Sequence, residues 1–419
     1  MRRNCTAPLS RPVKRALAGL LLFAALWTLA ELCRGQLFTG FPWGAIGYAH
    51  VDSPLRHWLP WVGVYGVSAI SAFACMVVTA KREEHIENPS RIGWGIRLSL
   101  LVALAYTWTS ANTRQAAVVK DTSQQALKVA LVQGNVPQDL KFGVAVPQSL
   151  ADYRKALLAN TADFIALPET ALPVLADNLP EHFWGELKQH FAQNQQLALI
   201  GIPMREAGPT AQGLLTNSAM ALMPSATDAN YRYDKHHLVP FGEYVPPFFQ
   251  WFVRMMNMPL GDFAQDRPPA GVLKWQGQRL LPQICYEDLF GEEMARYFVK
   301  PEEAPTVFVN MSNLAWFGDT TAIPQHVAIS RMRAMEFQRP ILRATNTGLT
   351  GLVDAKGEVT ASLPNFTRGA LVLEFEGRVG LTPYAQWTSQ WGLAPLWWLC
   401  IAIVLIFGVV SWRSGPRAL

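Results

Sequence analysis

Apolar residues are not spread evenly along the chain but gather in runs near its two ends. Positions 16–32, 58–80, 92–111 and 394–411 are stretches dominated by Ala, Leu, Val, Ile, Phe and Trp. A helix needs roughly 20 apolar residues to cross the hydrocarbon core of a bilayer, with a usable range of about 17 to 25. By that measure the second run fits best, and the first and fourth are short. The third carries Arg97 near one end, whose charge has to reach the interface along its own methylenes. No regular polar alternation marks these runs, as it would in the amphipathic helices of a soluble domain. The pattern predicts a membrane region over 1–111 with about three transmembrane helices (16–32, 58–80 and 92–111), and a C-terminal transmembrane helix over 394–411.

Between these ends the pattern changes. Short apolar or β-branched runs recur at 127–136 (LKVALVQGNV), 164–167, 197–203, 218–223, 280–286 and 306–310. Such runs read as strands buried on both faces. Helical patterns at 148–162, 183–195 and 325–339 lie between several of them. Strand–helix alternation predicts packed layers with the strands inside, an α/β domain over 127–376. After residue 340 short strands are separated by turn signals such as Asn346-Thr347-Gly348 and Lys356-Gly357. The stretch 245–263 (VPPFFQWFVRMMNMPLGDF) is too apolar for a water-facing loop. It reads equally well as a core helix or as an amphipathic arm lying on a bilayer surface.

Composition sharpens this picture. Of 419 residues, 50% are hydrophobic and 16% charged, against about 25% charged in an ordinary soluble protein. Fifteen Trp and 21 Phe accompany a mean hydropathy of +0.11, which excludes a disordered chain. The net charge of +5 does not call for nucleic acid, because membrane proteins collect Lys and Arg on their cytoplasmic side. Here Arg2, Arg3, Arg11, Lys14 and Arg15 precede the first run. Lys81, Arg82, Arg91 and Arg97 lie around the start of the third, and Arg413 and Arg417 follow the fourth. Four crossings put these segments on one side, the cytoplasm, and export the stretch 112–391. Glu31-Leu32-Cys33-Arg34 is not a small-residue cleavage site, so the first run reads as an anchor and not a signal peptide.

Of the five cysteines, Cys5 falls on the cytoplasmic side and Cys33, Cys75 and Cys400 in or beside the apolar runs. Cys285 is the one thiol in the exported stretch and has no disulfide partner there. A lone thiol is either an inert buried hydrophobe or a nucleophile. The context favours the nucleophile. Cys285 follows the apolar strand ending at Ile284, and strand ends are where α/β folds present reactive groups. Glu169 closes another apolar run in Leu167-Pro168-Glu169-Thr170, and Lys235 sits in a Pro- and Gly-shaped segment, YDKHHLVPFGEY. A Cys nucleophile needs a base and a positive group for the oxyanion, and Glu and Lys can supply them. His236 and His237 offer a rival Cys–His pairing. No Cys/His cluster has metal-ligand spacing, so no metal or other cofactor is expected.

The Glu, Lys and Cys in this order, each in its local motif, resemble the nitrilase (carbon–nitrogen hydrolase) superfamily, and more closely its membrane-bound branch, the apolipoprotein N-acyltransferases. The segments that carry the resemblance are FTGFPWGAIGY (38–48), VQGNVPQDLKF (132–142), LPET (167–170), YDKHHLVPFGEYVP (233–246), ICYED (284–288), AWFGD (315–319), RMRAMEFQRPILRATNTGLT (331–350) and GLTPYA (380–385). It runs from about residue 26 to the end. It implies a nitrilase-like α-β-β-α sandwich flanked by transmembrane helices, with Glu169, Lys235 and Cys285 as a catalytic triad and Glu243 and Glu287 in support. It implies an acyl chain taken from a membrane phospholipid, phosphatidylethanolamine by expectation, onto Cys285. The chain then passes to the amine of a diacylglyceryl-cysteine lipoprotein, at the periplasmic face of the cell inner membrane. Two departures stand out. Family members usually carry additional membrane helices before the first run, so the chain looks N-terminally shortened. Leu314 also stands where the family usually has Asp. Two other readings compete: a membrane-tethered amidase or nitrilase acting on a small substrate, and a non-catalytic paralogue that binds lipid or lipoprotein.

Overall fold

The structure, a computed structural model, describes residues 11–79, 119–122, 126–206, 213–224, 231–240, 242–244, 263 and 270–414. The expected span 92–111 and nearly all of the apolar stretch 245–263 lie outside the described residues. The chain divides into two units, one of residues 1–116 and 391–419, the other of residues 117–390.

The first unit is helical. Its helices run Arg11–Gln36, Leu59–Thr79 and Ala394–Ser414. Among the described residues, the single helical segments Ala18–Thr39 and Pro54–Val78 are long and apolar enough to cross a membrane. One acid interrupts the first of them. Glu31 is buried, and its Oε1 accepts from the backbone N–H of Ile46 (2.8 Å) and the indole of Trp27 (3.2 Å). A carboxylate in so apolar a setting persists only when donors converge on it. Here they tie the 3-10 turns that follow the helix back onto it.

The second unit is built on two six-stranded sheets. In the first, the strands stand in the order Gly369–Phe375, Leu127–Gln133, Phe164–Ala166, Leu197–Glu206, Leu214–Leu222, Arg232–Asp234. In the second, the order is Val359–Ser362, Gly351–Val353, Ile341–Thr345, Val307–Ser312, Gln278–Ile284, Leu273–Trp275. The three central strands of each sheet are parallel, or joined by at least one parallel pairing, and antiparallel strands flank them.

Side chains on a strand alternate between its faces, and that alternation explains the layering. Val129, Leu131, Phe164, Ala166, Leu197 and Leu199 meet Leu280, Ile284, Val307, Val309, Leu342 and Ala344 of the other sheet in one core. The intervening Ala130, Val132, Ile165, Ala198 and Ile200 face outward, onto Tyr153, Leu157, Phe183, Leu187 and Phe191. Those residues lie on helices Val146–Ala159 and Glu181–Asn194. On the far side, Leu281, Phe308 and Ile341 pack against Met294, Ala334, Phe337 and Tyr384. These come from helices Gly291–Ala295, Ala322–Phe337 and Pro383–Trp391. The result is an α-β-β-α sandwich. The inner strands of both sheets are covered on both faces and read as continuous apolar runs, whereas the outer strands Val359–Ser362 and Gly369–Phe375 keep exposed positions. Each large side chain buried this way contributes about 1.5–3 kcal/mol.

Candidate active site

The reactive residues sit just beyond strand ends, where the chain leaves the sheet and turns. Glu169 follows strand Phe164–Ala166, Lys235 follows Arg232–Asp234, and Cys285 follows Gln278–Ile284. The apolar run at 280–286 predicts two more strand residues, but the strand stops at Ile284. Cys285 has φ 54°, in the left-handed region, and opens a 3-10 turn, Cys285–Leu289. Non-glycine residues adopt that conformation rarely, at a cost of order 1–3 kcal/mol, and only where the surroundings enforce it. Here the enforcing contacts fall on its carbonyl. Asn310 Nδ2 donates to it at 3.3 Å, and His326 Nε2 lies 3.4 Å away. His326 is itself fully buried, with Arg343 on its Nδ1 at 2.8 Å and Asp288 Oδ1 at 3.2 Å from its Nε2.

Glu169 is held on both carboxylate oxygens. Oε1 accepts from Asn217 Nδ2 (2.7 Å) and Lys235 Nζ (3.3 Å), and Oε2 from the backbone N–H of Asn313 (2.9 Å). Burial on its own would raise this carboxyl. Lys235, Lys141 and those hydrogen bonds outweigh it and hold the group below the usual carboxylate range. Lys235 also reaches Glu243 at 2.9 Å, and Glu243 accepts further from Asn217 (2.8 Å) and the backbone of Val239 (2.8 Å). Burial would lower Lys235, but Glu169 and Glu243 more than offset it, so the ammonium keeps its proton at any ordinary pH. The Cys285 thiol is pushed well up, first by burial and then by Glu169, with Lys235 acting against them. Its residue is nonetheless not fully enclosed. The resting site is therefore an ionised carboxylate, a charged ammonium and a neutral thiol.

Glu287 fastens these pieces together. Its Oε2 accepts from Ile284 N–H (2.7 Å) and Tyr233 Oη (2.9 Å), and its Oε1 from the backbone N–H of His236 (2.7 Å) and His237 (3.2 Å). One carboxylate thus pins the Lys235 segment, from one sheet, to the Cys285 turn, from the other. The structure brings together Glu169, Lys235 and Glu243 by direct contact, and couples Cys285 to them electrostatically. The rival histidine pair is engaged elsewhere. The His237 ring stacks on Phe290 at 3.5 Å and its Nδ1 lies 3.1 Å from Glu293, while His236 meets Glu287 through its backbone. Leu314 is fully buried, just before the 3-10 turn Ala315–Phe317.

Four participants escape sequence reasoning: Asn217, Asn313, His326 and Lys141. Asn217 is a polar residue inside a strand that the apolar run at 218–223 predicts only in part. Asn313 acts through its backbone, which no sequence signal reveals. Lys141 Nζ donates to the Glu169 carbonyl at 3.1 Å and is almost fully buried; its place in the segment VQGNVPQDLKF (132–142) was the one sequence signal that could have found it.

Comparison with known proteins identifies relatives of the chain. The carbon-nitrogen hydrolase family profile matches residues 128–384, and the profile of the apolipoprotein N-acyltransferase N-terminal domain matches residues 5–77. The chain is 48% identical over 397 residues to the apolipoprotein N-acyltransferase of Verminephrobacter eiseniae, covering 91% of this chain and 72% of that one. It is 43% identical over 373 residues to that of Ralstonia nicotianae, covering 88% and 68%. Among solved structures it is similar to an amidase from Nesterenkonia sp., with a TM-score of 0.44 and 19% identity over 64% of this chain and 94% of that one.

Proposed function

The chain belongs to the apolipoprotein N-acyltransferase family, and from that premise we propose that Glu169, Lys235 and Cys285 carry out its acyl transfer as a Glu-Lys-Cys triad. The observation that supports this most is the Glu169–Lys235 hydrogen bond beside a nucleophile held at positive φ. The donor is a membrane phospholipid, with phosphatidylethanolamine as the proposed source, and the acceptor is the N-terminal amine of a diacylglyceryl-cysteine lipoprotein. In the first half-reaction Cys285 Sγ attacks the ester carbonyl while its proton passes to Glu169. The thiol is held above its usual range and Glu169 below. Proton transfer therefore accompanies attack, and the charge moves to the carbonyl oxygen, where Lys235 receives it. Collapse breaks the ester bond, Glu169 protonates the departing glycerol oxygen, and a lysophospholipid leaves a thioester on Cys285. In the second half-reaction the lipoprotein amine attacks the thioester and gives its proton to Glu169. The amide forms as sulfur leaves and regains the proton. Glu243 and Glu287 position Lys235 and its segment.

We place the chain in the inner membrane with this domain on the periplasmic side, following the basic segments before the first apolar run and after the last. The test is acyl trapping. Incubation with acyl-labelled phospholipid yields a hydroxylamine-labile adduct on the wild type and none on Cys285→Ala, and added diacylglyceryl peptide discharges it to an amide. An adduct retained on Cys285→Ala removes the assignment. Discharge to free fatty acid with no amide points to the hydrolytic reading instead.

A further inference from the structure

The triad leaves the site short of positive charge. Two carboxylates, Glu169 and Glu243, share the single ammonium of Lys235. Attack by Cys285 then moves a negative charge from Glu169, where several donors hold it, onto the carbonyl oxygen, where a buried charge is expensive unless a cation meets it. A further cation lies at the site. Lys141 ends the short helix Gln138–Lys141 and is 3% exposed. Its Nζ donates to the Glu169 carbonyl at 3.1 Å, its one hydrogen bond to a described residue. The helix is tied to the same place from a second direction. Gln138 Oε1 accepts from Asn313 Nδ2 at 2.9 Å, and the Asn313 backbone donates to Glu169. An ammonium has three donors, so two N–H groups remain for other partners. A neutral amine would satisfy the Glu169 carbonyl as well as an ammonium does. As an ammonium it also interacts with the Glu169 carboxylate and with the Phe142 ring, whose centroid lies 5.9 Å from its Nζ.

We propose that Lys141 is a second cation of the reaction centre, which offsets the negative charge formed when Cys285 attacks, so that the first half-reaction runs only while its ammonium is protonated. This rests on the triad reading above. No bond to Lys141 forms or breaks. The thiol proton goes to Glu169, the electron pair to the carbonyl oxygen, and Lys141 keeps its proton throughout. The groups that act on it are Glu169 and Cys285, both of which favour its charged form. Lys235 and Glu243 stand behind Glu169, and Asp139 lies on its own helix. Burial outweighs the favourable groups and brings Lys141 down to about 8. Its charge is thus present below about pH 8 and is lost as pH rises through that value. Lys235, Cys285 and Tyr233 are all pushed upward, away from this window.

The experiment measures single-turnover acyl-enzyme formation. It uses the full chain in detergent micelles containing acyl-labelled phosphatidylethanolamine, without acceptor, so that no substrate amine titrates. The wild-type rate is expected to fall above about pH 8. Lys141→Arg, whose charge persists, is expected to lose that alkaline limb. Lys141→Met, of similar length and apolar, is expected to be slower by about 10²-fold at neutral pH, the scale seen on removing one electrostatic donor from such a site, and to show no limb. If the arginine is too large for the site and its variant does not fold, the methionine variant decides. A wild-type rate in Lys141→Met, or a limb near pH 8 that survives in it, overturns the proposal while leaving the triad standing. Absence of any adduct on wild-type Cys285 overturns the triad reading and this proposal together.

Discussion

Gly201→Ala separates the presence of Glu169 from its placement. Gly201 lies on strand Leu197–Glu206, directly under the turn that carries the carboxylate. A Cβ built there would stand 2.1 Å from the Pro168 carbonyl oxygen, 2.7 Å from the Thr170 nitrogen and 2.9 Å from the Glu169 Cα. All three are backbone atoms, so no side chain can rotate aside. The turn is also fastened to the strand by Leu167 N–H to the Leu199 carbonyl (2.9 Å) and Leu172 N–H to the Gly201 carbonyl (3.1 Å). Reaching even a tight contact of about 3 Å moves the Pro168 carbonyl by roughly 1 Å, and Glu169 moves with it. Overpacking of this kind costs about 1–3 kcal/mol of stability. A 1 Å misplacement of a catalytic group costs about 10²-fold in rate. The expected variant is therefore folded, melts a few degrees lower, keeps all three residues of the proposed triad, and forms acyl-enzyme about 10²-fold more slowly. Single-turnover labelling with acyl-tagged phospholipid reads the rate, and thermal melting in the same detergent reads the fold. A variant with a normal labelling rate refutes the argument that this glycine sets the position of the base.

Other outcomes follow from the same geometry. Glu287→Gln turns one of two accepting oxygens into a donor that faces donors already present, either Ile284 N–H and Tyr233 Oη or the His236 and His237 N–H groups. A loss of about 2–4 kcal/mol by denaturant titration is expected, with acylation impaired, and an unchanged midpoint would contradict the pinning role. Lys141 falls from its ordinary 10.5 to about 8, so its folded form carries a penalty of about 3 kcal/mol below pH 8 that is relieved as pH rises toward 10.5. The stability of wild type relative to Lys141→Met should accordingly rise between about pH 8 and 10.5, and a difference that does not depend on pH counts against this. Reporter fusions after Arg417 are expected to read cytoplasmic and fusions at Ala207-Gly208 periplasmic, whereas a cytoplasmic reading at 207 means that the run 92–111 does not cross the membrane.

Much of the sandwich was legible in advance because strand burial writes itself into composition. Leu127–Gln133, Phe164–Ala166 and Val307–Ser312 are apolar nearly throughout, since each is covered on both faces. Edge strands escaped. Arg232–Asp234 and Leu273–Trp275 are three residues each, too short to show a period. Helix ends were misjudged by one to three residues. The pattern at 183–195 belongs to helix Glu181–Asn194, which Gln195 stops by turning left-handed at φ 52°.

The linear sequence determined which residues could react. Glu169 and Cys285 each follow an apolar run and Lys235 lies in a Pro- and Gly-shaped segment, and those contexts depend on the few residues around each one. The tertiary structure decided what they do to one another. Glu169 meets the Asn313 backbone 144 residues away, and Glu287 meets His236 at a separation of 51. Two sheets must be stacked before those groups face each other. Lys141 is the clearest case. In the chain it is one lysine within the segment VQGNVPQDLKF, with nothing beside it to show that it is buried. Packing takes it out of water and sets it on the Glu169 carbonyl, and only that burial lowers its affinity for a proton. Desolvation is a property of everything around a residue, and most of what surrounds Lys141 is distant from it in the chain.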